Sequence, residues 1–164
     1  MIRSKASIIW IISDTHLRKG QFLPESFTVN IRREDIIFHL GDFISLQVIE
    51  FLRGKCRLEA VVGNCDAPDI RRLMPSKKIV EIEGKKIGLI HGRGGMQDTE
   101  SLVKSEYEKK VDVALFGHTH LAKTFRDNGT LFLNPGSLTD GRGSRASLAV
   151  LHLEDQPWSE IMEI

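Results

Sequence analysis

Five apolar runs, each closed by a short polar cluster, constrain this chain more than any other feature of its sequence. The runs are Ile8-Ile9-Trp10-Ile11-Ile12, Ile36-Ile37-Phe38, Leu58 to Val62, Ile87 to Ile90 and Val111 to Phe116. They are continuous rather than alternating and rich in Ile and Val, the pattern of central strands buried on both faces. The clusters that follow are Asp14-Thr15-His16, Gly41-Asp42, Gly63-Asn64-Cys65-Asp66, His91-Gly92 and Gly117-His118-Thr119-His120. Four of the six histidines fall in them. A strand delivers its next residue to the edge of its sheet, so clusters far apart in sequence can meet in space.

Weaker helical segments lie between the runs. Ser45 is placed to cap a helix through Arg53, with Ile44, Val48, Ile49 and Leu52 on one face and Gly54 ending it. Ala67 to Met74 reads as a short helix, with Pro68 near its first turn and Pro75 stopping it. Asp98 or Thr99 is expected to cap a helix to about Lys110, with Leu102, Val103 and Tyr107 as its buried stripe. The last third changes character. Thr130 to Leu133, Ser147 to Leu153 and Trp158 to Ile164 read as strands, and Arg126-Asp127-Asn128-Gly129 as a hairpin turn. Alternating β and α followed by consecutive strands fits an α/β domain of two packed sheets with helices outside.

A chain of 164 residues fits one domain, residues 1–164. Its core needs no disulfide. With 41% hydrophobic residues, 27% charged residues and a net charge of +1, composition argues against disorder and an extended nucleic-acid surface. Cys56 and Cys65 match no zinc-knuckle spacing, and a reduced, intracellular protein is the simplest reading. Arg3 and Lys5 precede an apolar run, as in a signal peptide. That run leads into Ser13 and Asp14 with no small-residue cleavage site. No stretch approaches the roughly 20 apolar residues of a membrane span. The expectation is a cytoplasmic protein without a membrane partner.

Two divalent metals about 3.5–4 Å apart can clamp a phosphate and activate a water between them. Such a site needs a bridging carboxylate, neutral imidazoles and a few oxygen donors. The chain offers Asp14, Asp42, Asn64, His16, His91, His118 and His120. In Asp-x-His and His-x-His, residues two apart point to the same side of an extended segment. Each cluster alone also has a plainer reading. Asp14 and His16 suit a helix cap and a surface polar residue. Asp42 after Gly41 is ordinary turn composition, and Asn64-Cys65-Asp66 suits an Asx-turn opening the helix at Ala67. His39, His152, Trp10 and Trp158 read as packing residues. The pairs Arg32-Arg33, Arg71-Arg72, Lys77-Lys78 and Lys85-Lys86 read as solvated faces.

Ser13-Asp14-Thr15-His16, Gly41-Asp42, Gly63-Asn64, His91-Gly92 and Gly117-His118-Thr119-His120, in this order, resemble the calcineurin-like metallophosphoesterase signature. The resemblance spans roughly Ile8 to Ser137. The small size, Asn64-Cys65-Asp66 and Asn134-Pro135-Gly136-Ser137 are similar to a compact phosphodiesterase subfamily that includes the metal-binding retromer scaffold subunit. The resemblance implies a four-layer αββα sandwich of two mixed sheets flanked by helices. It implies that Asp14, His16 and His120 bind one metal, that Asn64, His91 and His118 bind a second, and that Asp42 bridges them. The implied cofactors are two divalent ions, manganese first, with nickel, iron or zinc as alternatives. The implied activity is hydrolysis of small phosphodiesters by a hydroxide between the metals, with Asp42, Asn64 and His118 acting through the metals and the phosphate. A phosphomonoesterase or protein phosphatase is the enzymatic alternative, and a metal-binding interaction scaffold the non-enzymatic one.

Two positions depart from the family pattern. Many members carry histidine after the motif asparagine, where this chain has Cys65. A thiol with a pKa of about 8.5 is a poor proton donor. General acid catalysis is typically a 10²–10⁴-fold effect, so slow turnover of diesters with poor leaving groups is expected. Cys65 itself reads as a soft ligand, a weak acid or a packing residue, with packing favoured. Arg93 stands where relatives often have another histidine; it reads as a phosphate donor or as a solvated loop charge. The apolar tail Trp158 to Ile164 suits either a homo-oligomer interface or closure of the second sheet.

Overall fold

The structure, a computed structural model, describes residues 7–164. Arg3 and Lys5, the basic flank weighed as a signal peptide, lie outside the described residues. The chain runs β1 (Ile9–Ile12), α1 (Glu25–Thr28), β2 (Ile36–His39), α2 (Leu46–Lys55), β3 (Arg57–Ala60), α3 (Pro68–Leu73) and β4 (Lys77–Ile82). It continues β5 (Lys85–Ile90), α4 (Met96–Tyr107), β6 (Val113–Leu115), β7 (Ala122–Asp127), β8 (Thr130–Pro135), β9 (Ser147–His152) and β10 (Trp158–Glu163).

The strands form two mixed sheets. The first has the order β10-β9-β1-β2-β3, with β1, β2 and β3 parallel and β9 antiparallel to both β1 and β10. The second has the order β4-β5-β6-β8-β7, with β5, β6 and β8 parallel and both edge strands antiparallel to their neighbours.

Three apolar cores separate the layers, and strand alternation assigns residues to them. Trp10, Ile12 and Ile37 pack with Phe27, Ile49, Leu52 and Ile70 from α1, α2 and α3. Ile9, Ile11 and Phe38 point the other way, against Ile87, Leu89, Val113, Leu115 and Leu133 of the second sheet. Ala114 and Phe132 face away from that middle core, against Val103 and Tyr107 of α4. The continuous apolar runs thus serve two cores at once. Each fully buried Ile or Phe contributes about 1.5–3 kcal/mol. An exposed ion pair such as Arg145–Glu163 is worth at most about 1 kcal/mol, so the cores set strand placement.

Several boundaries differ from expectation for identifiable reasons. β3 covers Arg57–Ala60 rather than Leu58 to Val62; it is an edge strand, and only Ala60 is fully buried. The Ser45 hydroxyl accepts the Gln47 N–H at 3.2 Å, as a cap should, but Gly54 lies inside α2 instead of ending it. α4 starts at Met96, not after Asp98 or Thr99. Asp98 sits in its first turn and accepts the Gly95 N–H at 3.0 Å, while the Thr99 hydroxyl donates to Arg93 O at 2.8 Å. The hairpin turn narrows to Asn128-Gly129, with φ of 46° and 87°, the left-handed pair that a two-residue turn needs.

Three elements were not anticipated. α1 is one turn. β4 and β7 are edge strands whose polar faces hide their period. Lys77 and Lys78 lie within β4 and pair with Glu106 at 2.7 Å and Glu59 at 2.6 Å. β10 extends the first sheet at its outer edge, so the apolar tail does not close the second. Trp10, His39 and His152 pack as expected. The Trp10 indole donates to Asp35 at 3.0 Å, His39 stacks on Phe43 at 3.6 Å, and His152 stacks on Trp158 at 4.0 Å.

Candidate metal centre

The five clusters meet at the carboxyl ends of β1, β2, β3, β5 and β6, the edge at which open α/β sheets present their ligand crevice. Backbone bonds lace the loops together. Asp14 N–H donates to Gly41 O at 3.0 Å, His16 N–H to Asp42 O at 2.9 Å, and Gly117 N–H to His91 O at 2.9 Å. Asp14, His16, Asp42, His118 and His120 all have left-handed backbone, with φ of 52°, 45°, 61°, 71° and 61°. Each such non-glycine residue costs on the order of 1–3 kcal/mol, and such residues concentrate at functional sites. Two glycines let the carboxylates approach. A Cβ on Gly63 would stand 2.0 Å from Asp42 Oδ1, and one on Gly117 would stand 2.8 Å from Asp14 Oδ2.

The candidate side chains converge in two groups around Asp42. Asp14 Oδ1 lies 3.3 Å from His120 Nε2 and 3.8 Å from His16 Nε2, and those two ring nitrogens are 3.2 Å apart. On the other side, Asn64 Oδ1 lies 3.1 Å from His91 Nε2 and 2.9 Å from His118 Nδ1. Asp42 Oδ2 stands between the groups, 3.4 Å from both His16 Nε2 and His91 Nε2. Donor atoms each about 2.1 Å from one ion are roughly 3–4 Å apart, so these spacings suit shared ions.

Hydrogen bonds outside the cluster orient three of the rings. His91 Nδ1 donates to Leu40 O at 2.6 Å, His120 Nδ1 to Asp140 O at 2.7 Å, and His118 Nε2 to Gly94 O at 2.9 Å. Carbonyls only accept, so in the neutral rings the lone pairs of His91 Nε2, His120 Nε2 and His118 Nδ1 face the cluster. Metal-ligating histidines are commonly held in this way.

The fit to cations rests on one atom above all. Asp14 Oδ1 is buried and, among the described residues, has no hydrogen-bond partner. Burial opposes ionisation of Asp14, yet contacts with His120 and His16, the charge of His91 and the Ser13 hydroxyl hold its carboxyl well below the usual range. Asp42 is also held low: burial opposes this, but His91 and the Cys65 N–H prevail. His91 and His120 are raised despite burial, by Asp42 and Asp14 in the first case and by Asp14 and the Asp140 carbonyl in the second. Anionic carboxylates facing imidazoles, with a buried lone pair left over, make a set that divalent cations fit.

Residues outside the candidate ligands hold this arrangement. Buried Asp66 accepts four backbone N–H groups: Phe43 at 2.7 Å and Ile44 at 3.0 Å on Oδ1, and Gly63 at 2.8 Å and Asp42 at 3.0 Å on Oδ2. Its signal in the sequence was an acid two residues beyond a candidate ligand, in a turn-like tetrapeptide. Arg71 is not simply solvated; it donates to Asp66 O and Asn64 O, each at 2.8 Å. Asn134, near the end of β8, and Ser137, just beyond it, also brace the site. Ser137 donates to Asp14 O at 2.7 Å and Asn134 to Gly117 O at 2.9 Å. Cys65 is exposed rather than packed. Arg93 is also exposed, beside Asp98, Ser101 and Ser105, and joins neither ligand group.

A two-sheet sandwich with buried carboxylates and imidazoles at its strand ends is the architecture of a metal-binding phosphoesterase. The chain belongs to the calcineurin-like phosphoesterase superfamily, whose domain matches residues 8–156. It is 35% identical to a probable metallophosphoesterase of Methanocaldococcus jannaschii, over 96% of this chain and 81% of that protein. A phosphodiesterase of the same organism is 28% identical, over 94% of this chain and 98% of that protein. Wild-type Vps29 from Entamoeba histolytica, solved as a complex with Zn2+, has a TM-score of 0.74 at 23% identity, covering 95% of this chain and 98% of its own. That structure shares the fold expected from the sequence. Among the described residues, no helix is long and apolar enough to cross a membrane.

Proposed function

We propose that this protein is a cytoplasmic, metal-dependent phosphodiesterase that hydrolyses small phosphodiesters at a dinuclear centre. The buried Asp14 Oδ1, which has no hydrogen-bond partner among the described residues and faces the nitrogens of His16 and His120, is the observation that carries the reading. Asp14, His16 and His120 would hold one ion, Asn64, His91 and His118 the other, and Asp42 both. The bound ions supply Lewis acidity toward phosphoryl oxygens and acidify water to near neutrality, manganese being the family's first expectation.

The chain's own residues supply orientation. Asp14, Asp42, His91 and His120 form a buried floor, while His16, Asn64 and His118 are more open and border the face a substrate reaches. A depression of about 260 Å³ adjoins Asn64 and His91, with Val62, Arg71, Ile90 and Leu102 among its walls. A small ester group fits a hollow of that size. The preference for diesters draws on the phosphodiesterase relative.

The test uses metal-stripped protein with bis-aryl and mono-aryl phosphate, restoring manganese, nickel or magnesium. Metal-dependent hydrolysis, faster on the diester, is expected. No hydrolysis of either ester would eliminate the enzymatic reading in favour of an interaction scaffold. The exposed Trp158, Ile161 and Met162 on β10 give that second reading its own observation.

A further inference from the structure

We infer that Cys65 is a metal ligand, its sulfur joining Asp14, His16, His120 and Asp42 on the first ion and turning this centre toward soft divalent cations. The inference rests on the proposed dinuclear reading. Its geometry is specific: a ring nitrogen of His16, a carboxylate oxygen of Asp42 and Cys65 Sγ all lie within 4.8 Å of one another. Ligand atoms sharing one zinc lie roughly 3.3–3.8 Å apart, so from within 4.8 Å the sulfur needs to approach by at most about 1.5 Å. The Cys65 side chain is exposed rather than locked in a core.

Its backbone stays fixed meanwhile. Cys65 N–H donates to Asp42 Oδ1 at 2.8 Å, tying residue 65 to the bridging carboxylate. Asn64 Nδ2 donates to Cys65 Sγ at 3.3 Å, which also turns Asn64 Oδ1 toward His91 and His118. A separate observation marks the same pole as one that attracts a cation. The buried Asp14 Oδ1, without a hydrogen-bond partner among the described residues, lies 3.8 Å from the His16 nitrogen.

Ligation replaces the S–H bond by an S–metal bond, the proton leaves to solvent, and no electron changes hands. Thiolate is a soft donor that selects zinc-like ions, whereas carboxylate and water suit manganese. Zinc or cadmium therefore replaces manganese as the favoured ion.

The experiment loads wild-type, Cys65→Ser and Cys56→Ala proteins with zinc, measures stoichiometry, and records X-ray absorption fine structure. Two zinc ions per chain are expected, with a sulfur shell at about 2.3 Å in wild type and Cys56→Ala. Cys65→Ser should lose that shell, and at least about tenfold of its zinc affinity relative to manganese. Two bound zinc ions with only nitrogen and oxygen shells, at about 2.0–2.2 Å, would overturn Cys65 ligation and leave the dinuclear centre standing. A sulfur shell that survives Cys65→Ser would overturn it equally. Failure to bind zinc at all would overturn the centre and this inference together.

Discussion

Asp66 carries the main chain of Asp42: its Oδ2 accepts the Asp42 N–H at 3.0 Å, while its Oδ1 accepts the next two N–H groups, of Phe43 and Ile44. The candidate bridging residue therefore hangs from a second carboxylate that touches no ligand atom. Asp42 and Ile44 both have left-handed backbone, with φ of 61° and 71°, and Asp66 offsets that strain.

Asp66→Ala leaves these buried donors unpaired. A destabilisation of roughly 2–4 kcal/mol follows, with a loss of roughly 10–100-fold in metal affinity. Urea unfolding and metal titration read the two effects. Asp66→Asn keeps an acceptor and should fall between. An alanine variant with wild-type metal affinity would show that the Asp42 loop needs no such support.

Asp42→Asn tests the bridge directly. The amide retains one carbonyl oxygen and loses the charge that faces His16 and His91, each at 3.4 Å. Hydrolysis should fall to background and metal stoichiometry should drop. Retained activity with two metals bound would reject the assignment of Asp42 as the shared ligand.

The layers were legible in the sequence because Ile9, Ile11 and Phe38 face one core while Trp10, Ile12 and Ile37 face another. Such strands must be apolar throughout, and that shows as an unbroken run. β4 and β7 were not legible, since at a sheet edge one face meets solvent and charges interrupt the pattern. The candidate ligands were legible by type and order, and the structure brings them together. The support from Asp66 was not, because it joins loops 24 residues apart through backbone donors that leave no mark on composition. The left-handed backbone of Asp14, His16 and His118 was equally hidden, being imposed by tertiary contacts on residues that do not demand it. Cys65 looked like a packing residue because free cysteine usually is one, yet here the loop turns it outward.

Burial pushes the pKa of His39 down to about 3, below its ordinary 6.5, so the folded protein holds this ring neutral. Between those values the unfolded chain binds the extra proton, so stability is complete above about pH 6.5 and is lost as pH falls toward 3. The slope from one proton is about 1.4 kcal/mol per pH unit. Asp14 and Asp42 are also held low, but their contribution is lost only as pH falls below about 4. His91 and His120 are raised, so their slope has the opposite sign and develops from about pH 6 upward. Glu59 is held low by Lys78 and Arg57 despite burial, and Glu106 by Lys77, so from their ordinary 4.5 both add slope at the acid end. Between about pH 5 and 6 the slope of the measured unfolding free energy is carried chiefly by His39. His39→Asn should flatten that slope, and an unchanged slope would place the titrating group elsewhere.

Metal removal should cost stability as well as activity. Two buried carboxylates face imidazoles, and Asp14 Oδ1 has no hydrogen-bond partner among the described residues. Cations bound only by the folded state stabilise it by about 2.7 kcal/mol at a hundred times Kd. For a chain of this size that is a rise of roughly 5–10 °C in Tm over chelated protein. Calorimetry with and without zinc measures it. A Tm that ignores metal would mean that this cluster binds none.

Cys65→His separates the two consequences of the thiol. If the sulfur is bound to metal, the wild-type protein has no proton donor at this position, and diesters with poor leaving groups turn over slowly. Activated aryl diesters need no such donor. A histidine there restores an acid with a pKa near 6.5, suited to protonating a departing alkoxide at neutral pH. The rate on an alkyl diester should rise by about 10²-fold or more, with little change on the bis-aryl substrate. The variant also gives up the soft ligand, so its preference should shift from zinc back toward manganese. Equal acceleration of both substrates would point to a change in metal loading rather than in proton transfer. No acceleration of the alkyl diester would show that something other than a missing acid limits turnover.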